Sequence, residues 1–568
     1  PRGGAMLSPN GREGRNAHQR GAILLEEWMW VGKWLLLLLA LIGLPYLVAF
    51  LSPPEGMTFL GSFGNPDDTS TYLSAMREGA RGGWLRHYPF TSEPHEPALY
   101  FPFYILLGKL FGPSLAVFHG ARLACTLLLA LVIYRLAVLL FPDRLTRRTT
   151  LLLTLFSGGL GWLLVLIGVA DRFIPPLDIR WPEATTFLAS FISPHFTLGI
   201  TLELTVFLLF LLSQTAPRGK RTLYTLCAAM AHLGLSLVFP FSVVTVSAVL
   251  IAYSLVLVTR EGTLVALRRS LLIIAPVVPI SLYYLVLFRF TPFWEKAFLT
   301  MADDPSPPLF ALPFGYGIVA LLAVAGLVSL HQGEVSSLDL FLPTWVGINL
   351  VLVYLPVKHQ GRFAQGFHVA LSFLAAAGLC HWLLPRLRGS RLLHRLARYS
   401  PHPELTLRNL LIILTVPSSL MVSLLGFKIL ATEHHFPYFL PNEEVAAVAW
   451  LGERVDFQDV VLSSYGIGNY IPGHTDSRVF LGYRFETLDW EKKRDLLIEF
   501  YDAETEDEFR RKLISEEGIT YLYYGPEERS LGDFDPASAP YLTLLYANTE
   551  VRIYKVEEGV AEEFAPSD

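Results

Sequence analysis

The chain has 568 residues, of which 52% are hydrophobic and only 17% are charged, and its formal net charge is −5. This composition excludes an ordinary soluble protein, because the apolar residues are gathered into runs long enough to cross a bilayer. The sequence therefore predicts an α-helical polytopic membrane protein.

About eleven apolar runs predict membrane spans. The first, at residues 31–51, carries a single charge at Lys33 and is long enough to cross a hydrocarbon core of about 30 Å. The other predicted spans lie near residues 114–140, 149–170, 196–213, 222–239, 240–258, 270–288, 312–330, 338–356, 365–384 and 408–430. The number is open by one or two, because the Phe-Pro-Phe sequence at 239–241 is a very tight turn.

Basic residues predict the orientation, since cytoplasmic loops carry an excess of Lys and Arg. They cluster after the second, fourth, sixth and tenth predicted spans, at Arg144, Arg147, Arg148, Arg218, Lys220, Arg221, Arg260, Arg268, Arg269, Arg386, Arg388, Arg391, Arg395 and Arg398. We therefore expect a cytoplasmic tail at 1–29 and a transmembrane domain at 30–432. Its first outer loop, 53–113, and the C-terminal region then lie outside.

The first outer loop carries an acidic pair, Asp67 and Asp68, directly after Pro66. We refer to these two aspartates as the acidic pair. Residues 68–83 predict an amphipathic helix, with Tyr72 on its apolar side. One hypothesis is that the pair takes a proton from a hydroxyl at the bilayer surface. The alternative is a helix cap, which is a common role for Asp after Pro and worth about 1 kcal/mol.

The same loop continues into a Pro- and aromatic-rich segment, 84–113, that is expected to lie in the membrane interface. Glu93, His95 and Glu96 in this segment are candidate ligands of a divalent cation or of substrate. The alternative is that they are simply solvated, and no metal site is assigned.

A second outer loop carries three basic residues, Lys358, His359 and Arg362, on the side where cations are usually scarce. They could hold a phosphate, because Arg offers a planar fork and Lys a point charge. The alternative is anchoring in lipid headgroups.

Several polar residues lie within or at the ends of the predicted spans, where they are costly unless they face a cavity or the bundle interior. They are His119, Arg122, His195, Glu203 and His232. We take Arg122 and His195 as candidate substrate contacts, with buried structural pairs as the alternative.

Residues 440–558 predict a separate α/β domain, followed by an acidic tail at 559–568. Helices are expected at 445–454, 489–503 and 505–517, and strands at 459–465, 478–483 and 519–524, with a hairpin over 541–556 that turns at 548–549. The glycine-containing stretch 466–470 lacks a dinucleotide-binding spacing and is interpreted as a loop. Cys125, Cys227 and Cys380 all fall in predicted spans, so this domain has no disulfide framework.

These features together resemble the GT-C glycosyltransferases. The resemblance is carried by the acidic pair after the first span, an aromatic residue four positions beyond Asp68, ten or more spans and a C-terminal α/β domain. More narrowly, 65–72, 88–97 and 518–528 are similar to a bacterial group of multi-spanning GT-C proteins, which is related to protein mannosyltransferases and aminoarabinose transferases.

The resemblance implies an inverting transferase in a bacterial cytoplasmic membrane. Its donor would be a polyprenyl-phosphate sugar, its acceptor a glycan, lipid or protein outside the membrane, and its other partners membrane lipids; no nucleic acid is expected. Asp68 matches the family's base, with Tyr72 as the spaced aromatic residue. The acidic neighbour precedes Asp68 here and does not follow it, which leaves Asp67 as a competitor. The rival hypotheses are a transporter or lipid flippase with an outer sensing domain, and a scaffold for envelope assembly.

Overall fold

The computed structural model describes residues 25–301, 305–330 and 335–557, together with residue 559. Its α-helices, in chain order, are α1 Leu25–Leu51, α2 Asp68–Ala80, α3 Pro102–Phe111, α4 Leu115–Leu140, α5 Arg144–Phe156, α6 Gly161–Leu166, α7 Leu177–Arg180, α8 Thr186–Ile192, α9 Pro194–Thr215, α10 Arg218–Val238, α11 Phe241–Glu261, α12 Val265–Ile274, α13 Val278–Phe290, α14 Pro292–Thr300, α15 Leu312–Leu330, α16 Phe341–Val353, α17 Phe367–Ala377, α18 Leu384–Leu387, α19 Arg391–Leu396, α20 Pro403–Ile413, α21 Pro417–Thr432, α22 Asn442–Gly452, α23 Tyr465–His474, α24 Trp490–Tyr501, α25 Asp507–Glu516 and α26 Pro526–Leu531. The strands are β1 Met57–Phe59, β2 Phe439–Pro441, β3 Val460–Leu462, β4 Arg478–Val479, β5 Ile519–Tyr524, β6 Leu542–Ala547 and β7 Arg552–Val556.

The chain is a polytopic membrane protein. Within its described part, eight helices are long and apolar enough to cross a bilayer, or nine if the bent pair α20 and α21 forms one span. The eight are Leu25–Leu51, Leu115–Leu140, Arg144–Leu166, Pro194–Thr215, Phe241–Glu261, Val265–Phe290, Leu309–Leu330 and Gln360–Leu387. This is fewer than the eleven predicted. The predicted span at 338–356 is only a short apolar helix. The predicted span at 222–239 corresponds to α10, which is less apolar than the eight because cations fill its first turn.

The chain divides into two compact units. The first comprises the described residues of Pro1–Leu44, Ala121–Val278 and Asp304–Leu425, and the second comprises Pro45–Gly120, Pro279–Asp303 and the described residues of Gly426–Asp568. The predicted boundaries at 30–432 and 440–558 follow the sequence order alone, and they remain a prediction.

The first unit is a helical bundle. Its α9 and α10 pack against each other, and α15 packs along α17 and the π-helical turn Gly378–Leu383. The three cysteines lie in helical segments of this unit and are free thiols, as the sequence indicates.

The second unit contains the C-terminal α/β domain. Its five-stranded sheet has the order β4-β3-β5-β7-β6, in which β3 is parallel to both β4 and β5, and β7 is antiparallel to β5 and β6. Buried side chains cover both faces of this sheet. The predicted strand at 519–524 is confirmed residue for residue by β5.

Three expectations for this domain were wrong. The stretch 466–470 is not a loop but lies in helix α23, and the strand predicted at 459–465 is only β3. The glycines of this stretch serve close packing rather than a turn, since a Cβ placed on Gly468 would lie 2.0 Å from the Leu481 carbonyl oxygen. The strand predicted at 478–483 likewise shortens to β4.

The second unit also contains the loop that carries the acidic pair. Helix α2 packs against α3 and against α23 of the α/β domain. The short strand β1 pairs antiparallel with β2, with Thr58 opposite Leu440. These contacts hold the start of α2 against the α/β domain.

Candidate functional site

The acidic pair begins helix α2. Asp67 occupies the N-cap position, with helical backbone angles, and Asp68 is the first helical residue. The Asp67 side chain makes no capping hydrogen bond. The predicted capping role is therefore not what these carboxylates do in the structure.

Two phenols hold the Asp68 carboxylate. The hydroxyl of Tyr72 donates to Oδ2 at 3.3 Å, which the four-residue spacing along the helix permits. The hydroxyl of Tyr483, from the segment that follows β4, donates a short hydrogen bond to Oδ1. Tyr72 is itself fixed, because it is only 5% exposed and stacks on Tyr104 with ring centroids 4.4 Å apart.

The protonation state of Tyr483 follows from its surroundings. Burial, the charge of Asp68 and the hydrogen bond to Asp68 raise the pKa of the Tyr483 phenol well above its ordinary value. The phenol therefore stays neutral and donates its proton. Donation from Tyr483 and Tyr72 fits an ionised Asp68, which accepts at both oxygens.

Asp67 has a different environment. Burial, together with the charge of Asp68, raises the pKa of Asp67 to about 6, although a hydrogen bond from Asn469 opposes the shift. The Nδ2 group of Asn469, on α23, lies 3.3 Å from the Asp67 carbonyl oxygen and 3.4 Å from its Oδ1. The charges of Asp67 and Asp68 thus repel each other, which favours the protonated form of Asp67.

A buried ion pair lies beneath the acidic pair. The Arg86 Nη2 atom is 2.8 Å from Oε2 of Glu486, and it also contacts the Thr71 carbonyl oxygen of α2 at 3.3 Å. The guanidinium lies over the rings of Phe101 and Tyr88, at 4.9 and 5.3 Å from their centroids. The pKa of Glu486 is raised to about 7, mainly by burial. The charge of Arg86 opposes this rise, and the charge of Asp68 adds to it.

These shifts predict a pH dependence of stability. The folded pKa of Glu486 (about 7) and that of Asp67 (about 6) both exceed the values of an unfolded chain, 4.5 and 3.8. Between pH 4 and 7 these two carboxyl groups therefore bind more protons in the folded state than in the unfolded state, so their contribution to the free energy of unfolding falls as pH rises. We expect urea titrations to show that Glu486→Gln removes its share of this fall, so that the slope of the free energy of unfolding against pH is less negative or more positive than in the parent. Glu504→Gln, at an exposed carboxyl, should leave the slope unchanged; an equal slope in Glu486→Gln would contradict the assignment.

Glu93 is bound within the second unit. Its Oε2 lies 2.8 Å from the Nζ of Lys493, which is itself buried, and it accepts a short hydrogen bond from Thr91. Burial raises the pKa of Glu93, but the charge and hydrogen bonds of Lys493 and the Thr91 hydroxyl outweigh it, so the net pKa is lowered. The contacts of Glu93 with Lys493 and Thr91 favour a structural role over the predicted substrate contact.

His95 is bound in the same way. Its Nε2 accepts from the Tyr88 amide at 2.8 Å, its Nδ1 lies 2.9 Å from the Glu93 carbonyl oxygen, and its ring stacks on Phe293 at 3.9 Å. Both ring nitrogens thus have protein partners. Over residues 25–301, 305–330 and 335–557, no three His, Cys, Asp or Glu side chains are grouped to hold a metal ion. The cation site considered for Glu93, His95 and Glu96 therefore does not fit this donor set.

The predicted phosphate ligands lie in the first unit. The Nη1 of Arg362 is 3.0 Å from Oε1 of Glu183, whose side chain is 2% exposed, while Arg362 is 27% exposed. His359 is buried in a left-handed conformation with φ of 60°, and Lys358 precedes it. His195 lies in the first turn of α9, against Phe196. The positive charge of the Arg362 guanidinium interacts electrostatically with the His195 imidazole.

Arg122 is fully buried on α4. Its Nη1 lies 3.1 Å from the Ile42 carbonyl oxygen, 3.0 Å from that of Ser190 and 3.3 Å from that of Phe191. Arg122 thus ties the end of α8 to α1. This favours the structural alternative for Arg122 over the substrate contact.

The sequence analysis missed Tyr483, Glu486, Arg86 and Asn469. The usable signal was the position of Tyr483 and Glu486 just after a strand of a parallel sheet, where ligand-binding residues often lie. No local pattern indicates that this segment contacts Asp68.

Three solved structures share the fold. The oligosaccharyltransferase AglB of Archaeoglobus fulgidus, in complex with an inhibitory peptide and a dolichol-phosphate, matches with a TM-score of 0.54 at 14% identity over 93% of this chain and 75% of that one. ArnT of Cupriavidus metallidurans, in the apo state, matches with 0.53 at 14% identity over 94% and 99%. The arabinofuranosyltransferase AftD from Mycobacteria matches with 0.51 at 16% identity over 94% and 40%.

No family model matches the sequence, and no curated protein is similar to it in sequence. The structural matches nevertheless extend over almost the whole chain. The chain has the GT-C fold, which confirms the resemblance found in the sequence.

Proposed function

We propose that this chain, which has the GT-C fold, is an inverting glycosyltransferase that moves a sugar from a polyprenyl-phosphate donor to an acceptor hydroxyl on the outer face of a bacterial cytoplasmic membrane. The solved relatives support the donor class, since AglB is described with a dolichol-phosphate and ArnT with undecaprenyl phosphate. The observation that carries the proposal is the Asp68 carboxylate held by the phenols of Tyr72 and Tyr483.

The reaction needs a base for the acceptor, because the donor already carries a phosphate leaving group. The acceptor oxygen attacks the anomeric carbon and its proton passes to Asp68, while the bond from that carbon to the phosphate oxygen breaks. Polyprenyl phosphate leaves with the electron pair. The two phenols orient the carboxylate and exclude other rotamers, so the accepting lone pair is already in place.

Asp67 and Glu486 have a supporting role in this proposal. Burial is the main cause of their raised pKa values, and the charge of Asp68 raises both further. When Asp68 takes a proton, its repulsion of both groups falls. The cluster therefore favours the protonated form of Asp68 that the reaction produces.

The leaving phosphate needs a cation, and Arg362 of the first unit remains our candidate, with Lys358 and His359 beside it in the chain. Arg362→Ala should lower donor turnover about 100-fold, because charge builds on the phosphate in the transition state. Arg362→Lys should restore only part of the loss, since a point charge does not reproduce the guanidinium fork.

A structural pair between Arg362 and Glu183 makes a different prediction, so Glu183→Gln is the matched control. If Arg362 only neutralises Glu183, both variants lose stability and turn over donor in proportion to the folded fraction. If Arg362 binds phosphate, Glu183→Gln keeps the donor KM near that of the parent and Arg362→Ala raises it. Donor kinetics on purified, folded protein distinguish the two roles.

The proposed activity is tested with radiolabelled polyprenyl-phosphate sugars. Membranes that contain the chain should move label from the lipid into a product, and matched membranes without the chain should not. A panel of hexose and pentose donors then identifies the sugar. If no donor in the panel loses its label, the proposal is wrong.

One observation favours the rival hypothesis of a transporter or lipid flippase. Glu203 of α9 is fully buried, and the Trp345 indole is the polar group that interacts with its carboxyl group. Ionisable groups in membrane helices often mark transport pathways. Movement of intact lipid-linked sugar between the leaflets of a reconstituted liposome, without release of label, would support this rival.

A further inference from the structure

A cleft of about 350 Å³ opens on the C-terminal α/β domain. It is lined by Ser464, Tyr465, Leu481, Arg484, Trp490, Arg494, Leu497, Ile498, Glu527 and Leu531. None of these residues has a part in the base chemistry described above. The volume is near the lower end of the range for ligand sites, roughly 300–1,000 Å³, and suits a small unit rather than a lipid chain.

The cleft lies where the sheet topology favours ligand binding. Ser464 and Tyr465 follow β3, Arg484 follows β4, and Glu527 follows β5, so three walls come from the carboxyl ends of three parallel strands. The strand order also reverses here, because the chain goes from β3 to β4 on one side and then to β5 on the other. Open parallel sheets bind ligands in the crevice at such a reversal.

The cleft is next to the acidic pair. Tyr465 begins helix α23, and the Nδ2 group of Asn469 on the same helix lies 3.3 and 3.4 Å from the carbonyl oxygen and Oδ1 of Asp67. Arg484 directly follows Tyr483, whose hydroxyl donates to Asp68. A group bound in the cleft therefore lies beside the proposed base.

The walls combine an aromatic surface with both donors and acceptors. Tyr465 meets Trp490 edge-on at 5.7 Å, and the guanidinium groups of Arg484 and Arg494 lie over the Trp490 ring, 5.3 and 5.5 Å from its centroid. Glu527 accepts from the Ser464 hydroxyl at 2.9 Å and from the Gly466 amide at 3.2 Å, and its side chain is otherwise exposed.

Charge compensation excludes an anionic ligand. Arg484 lies 3.1 Å from Glu491, and Arg494 lies 2.9 Å from Glu491 and 2.8 Å from Asp495. With Glu527, these three acids outnumber the two arginines. An acyl chain fits no better, because it would remove the arginines and Glu527 from water without replacing their hydrogen bonds.

We propose that this cleft binds a neutral sugar unit of the acceptor, with one apolar face of the sugar ring on the Tyr465 ring and its hydroxyls on Arg484, Arg494 and Glu527. The inference rests on the proposed function and names its acceptor class as a glycan. The bound unit would present a hydroxyl toward the acidic pair.

The test is direct binding to the full chain in lipid nanodiscs, measured by saturation-transfer NMR. The probes are the methyl glycosides of mannose, galactose, glucose and arabinofuranose, with mannose 6-phosphate and a Ser-containing peptide as the anionic and peptide alternatives. The blocking variant is Ile498→Trp, because Ile498 is exposed on α24 and a larger side chain fills the cleft without removing a core contact. The matched control is Glu499→Trp, at the next exposed position, which does not line the cleft.

We expect at least one neutral glycoside to bind the parent and the Glu499→Trp variant equally. Its affinity for Ile498→Trp should be lower by at least about tenfold, which corresponds to a loss of about 1.4 kcal/mol. The inference is wrong if no neutral glycoside binds the parent, if Ile498→Trp binds like the parent, or if mannose 6-phosphate or the peptide binds more tightly. Donor turnover is scored separately. Donor turnover without glycoside binding overturns this inference alone, and glycoside binding without donor turnover overturns the proposed function.

Discussion

Asp68→Asn is expected to lower sugar transfer about 100- to 10,000-fold, the range that a positioned general base contributes. The amide retains the size of the carboxyl group, its oxygen can still accept from one of the two phenols and its NH2 group can donate to the oxygen of the other, so folding and donor binding should change little. The measurement is the initial rate of label transfer at saturating donor, with donor binding measured on the same preparation.

Asp67→Asn is the matched control, because it makes the same change one residue earlier. It should retain most of the activity if Asp68 is the base. An inactive Asp67→Asn with an active Asp68→Asn would move the role to Asp67, whose pKa of about 6 also suits a base near neutral pH. Activity in both variants would rule out the acidic pair as the base.

Arg86→Met is expected to destabilise the second unit by about 3–5 kcal/mol, because it leaves the buried Glu486 carboxylate without its partner. The loss of stability should be larger at pH 8 than at pH 5.5, since Glu486 can take a proton and become neutral at pH 5.5. The free energy of unfolding in urea, measured at both pH values, tests this.

Arg81→Met is the control for this change. Arg81 is 35% exposed and pairs with Glu78 and Asp476 at 3.0 and 3.2 Å, so its removal should cost about 1 kcal/mol or less at either pH. Adding Glu486→Gln to Arg86→Met should recover part of the loss. No recovery would show that the packing of Arg86 against the aromatic rings, and not its charge, stabilises this region.

The sequence predicted the features that depend on local periodicity and spacing. The long apolar runs identified the membrane protein, and the amphipathic pattern after Pro66 predicted a helix at 68–83, which the structure contains as α2 from Asp68 to Ala80. Strand β5 was predicted residue for residue, because its run of β-branched and aromatic residues has no competing helical pattern.

The rest depends on contacts between distant segments. Tyr483 reaches Asp68 across 415 residues of sequence, and Glu486 reaches Arg86 across 400. No propensity or spacing carries that information. Gly468 of α23 was misinterpreted for the same reason, since it is required by the Leu481 backbone, which packs on it, and not by its own conformation.

Polar residues within or beside apolar runs were the least predictable. Arg122 was a candidate substrate contact, yet it holds three backbone carbonyl oxygens, and Glu93 and His95 are likewise bound to protein groups. A sequence shows that such a group needs a partner. It does not show whether the partner is the protein or a substrate.

The configuration of the transferred sugar tests the central claim most directly. A donor labelled with ¹³C at the anomeric carbon is incubated with the purified chain in nanodiscs and a membrane extract as acceptor, and the one-bond C–H coupling of the product is measured by NMR. If Asp68 removes the acceptor proton during a single displacement, the anomeric configuration of the product is opposite to that of the donor, and Asp68→Asn forms no product. Retention of configuration, or an equal yield from Asp68→Asn, would contradict the account.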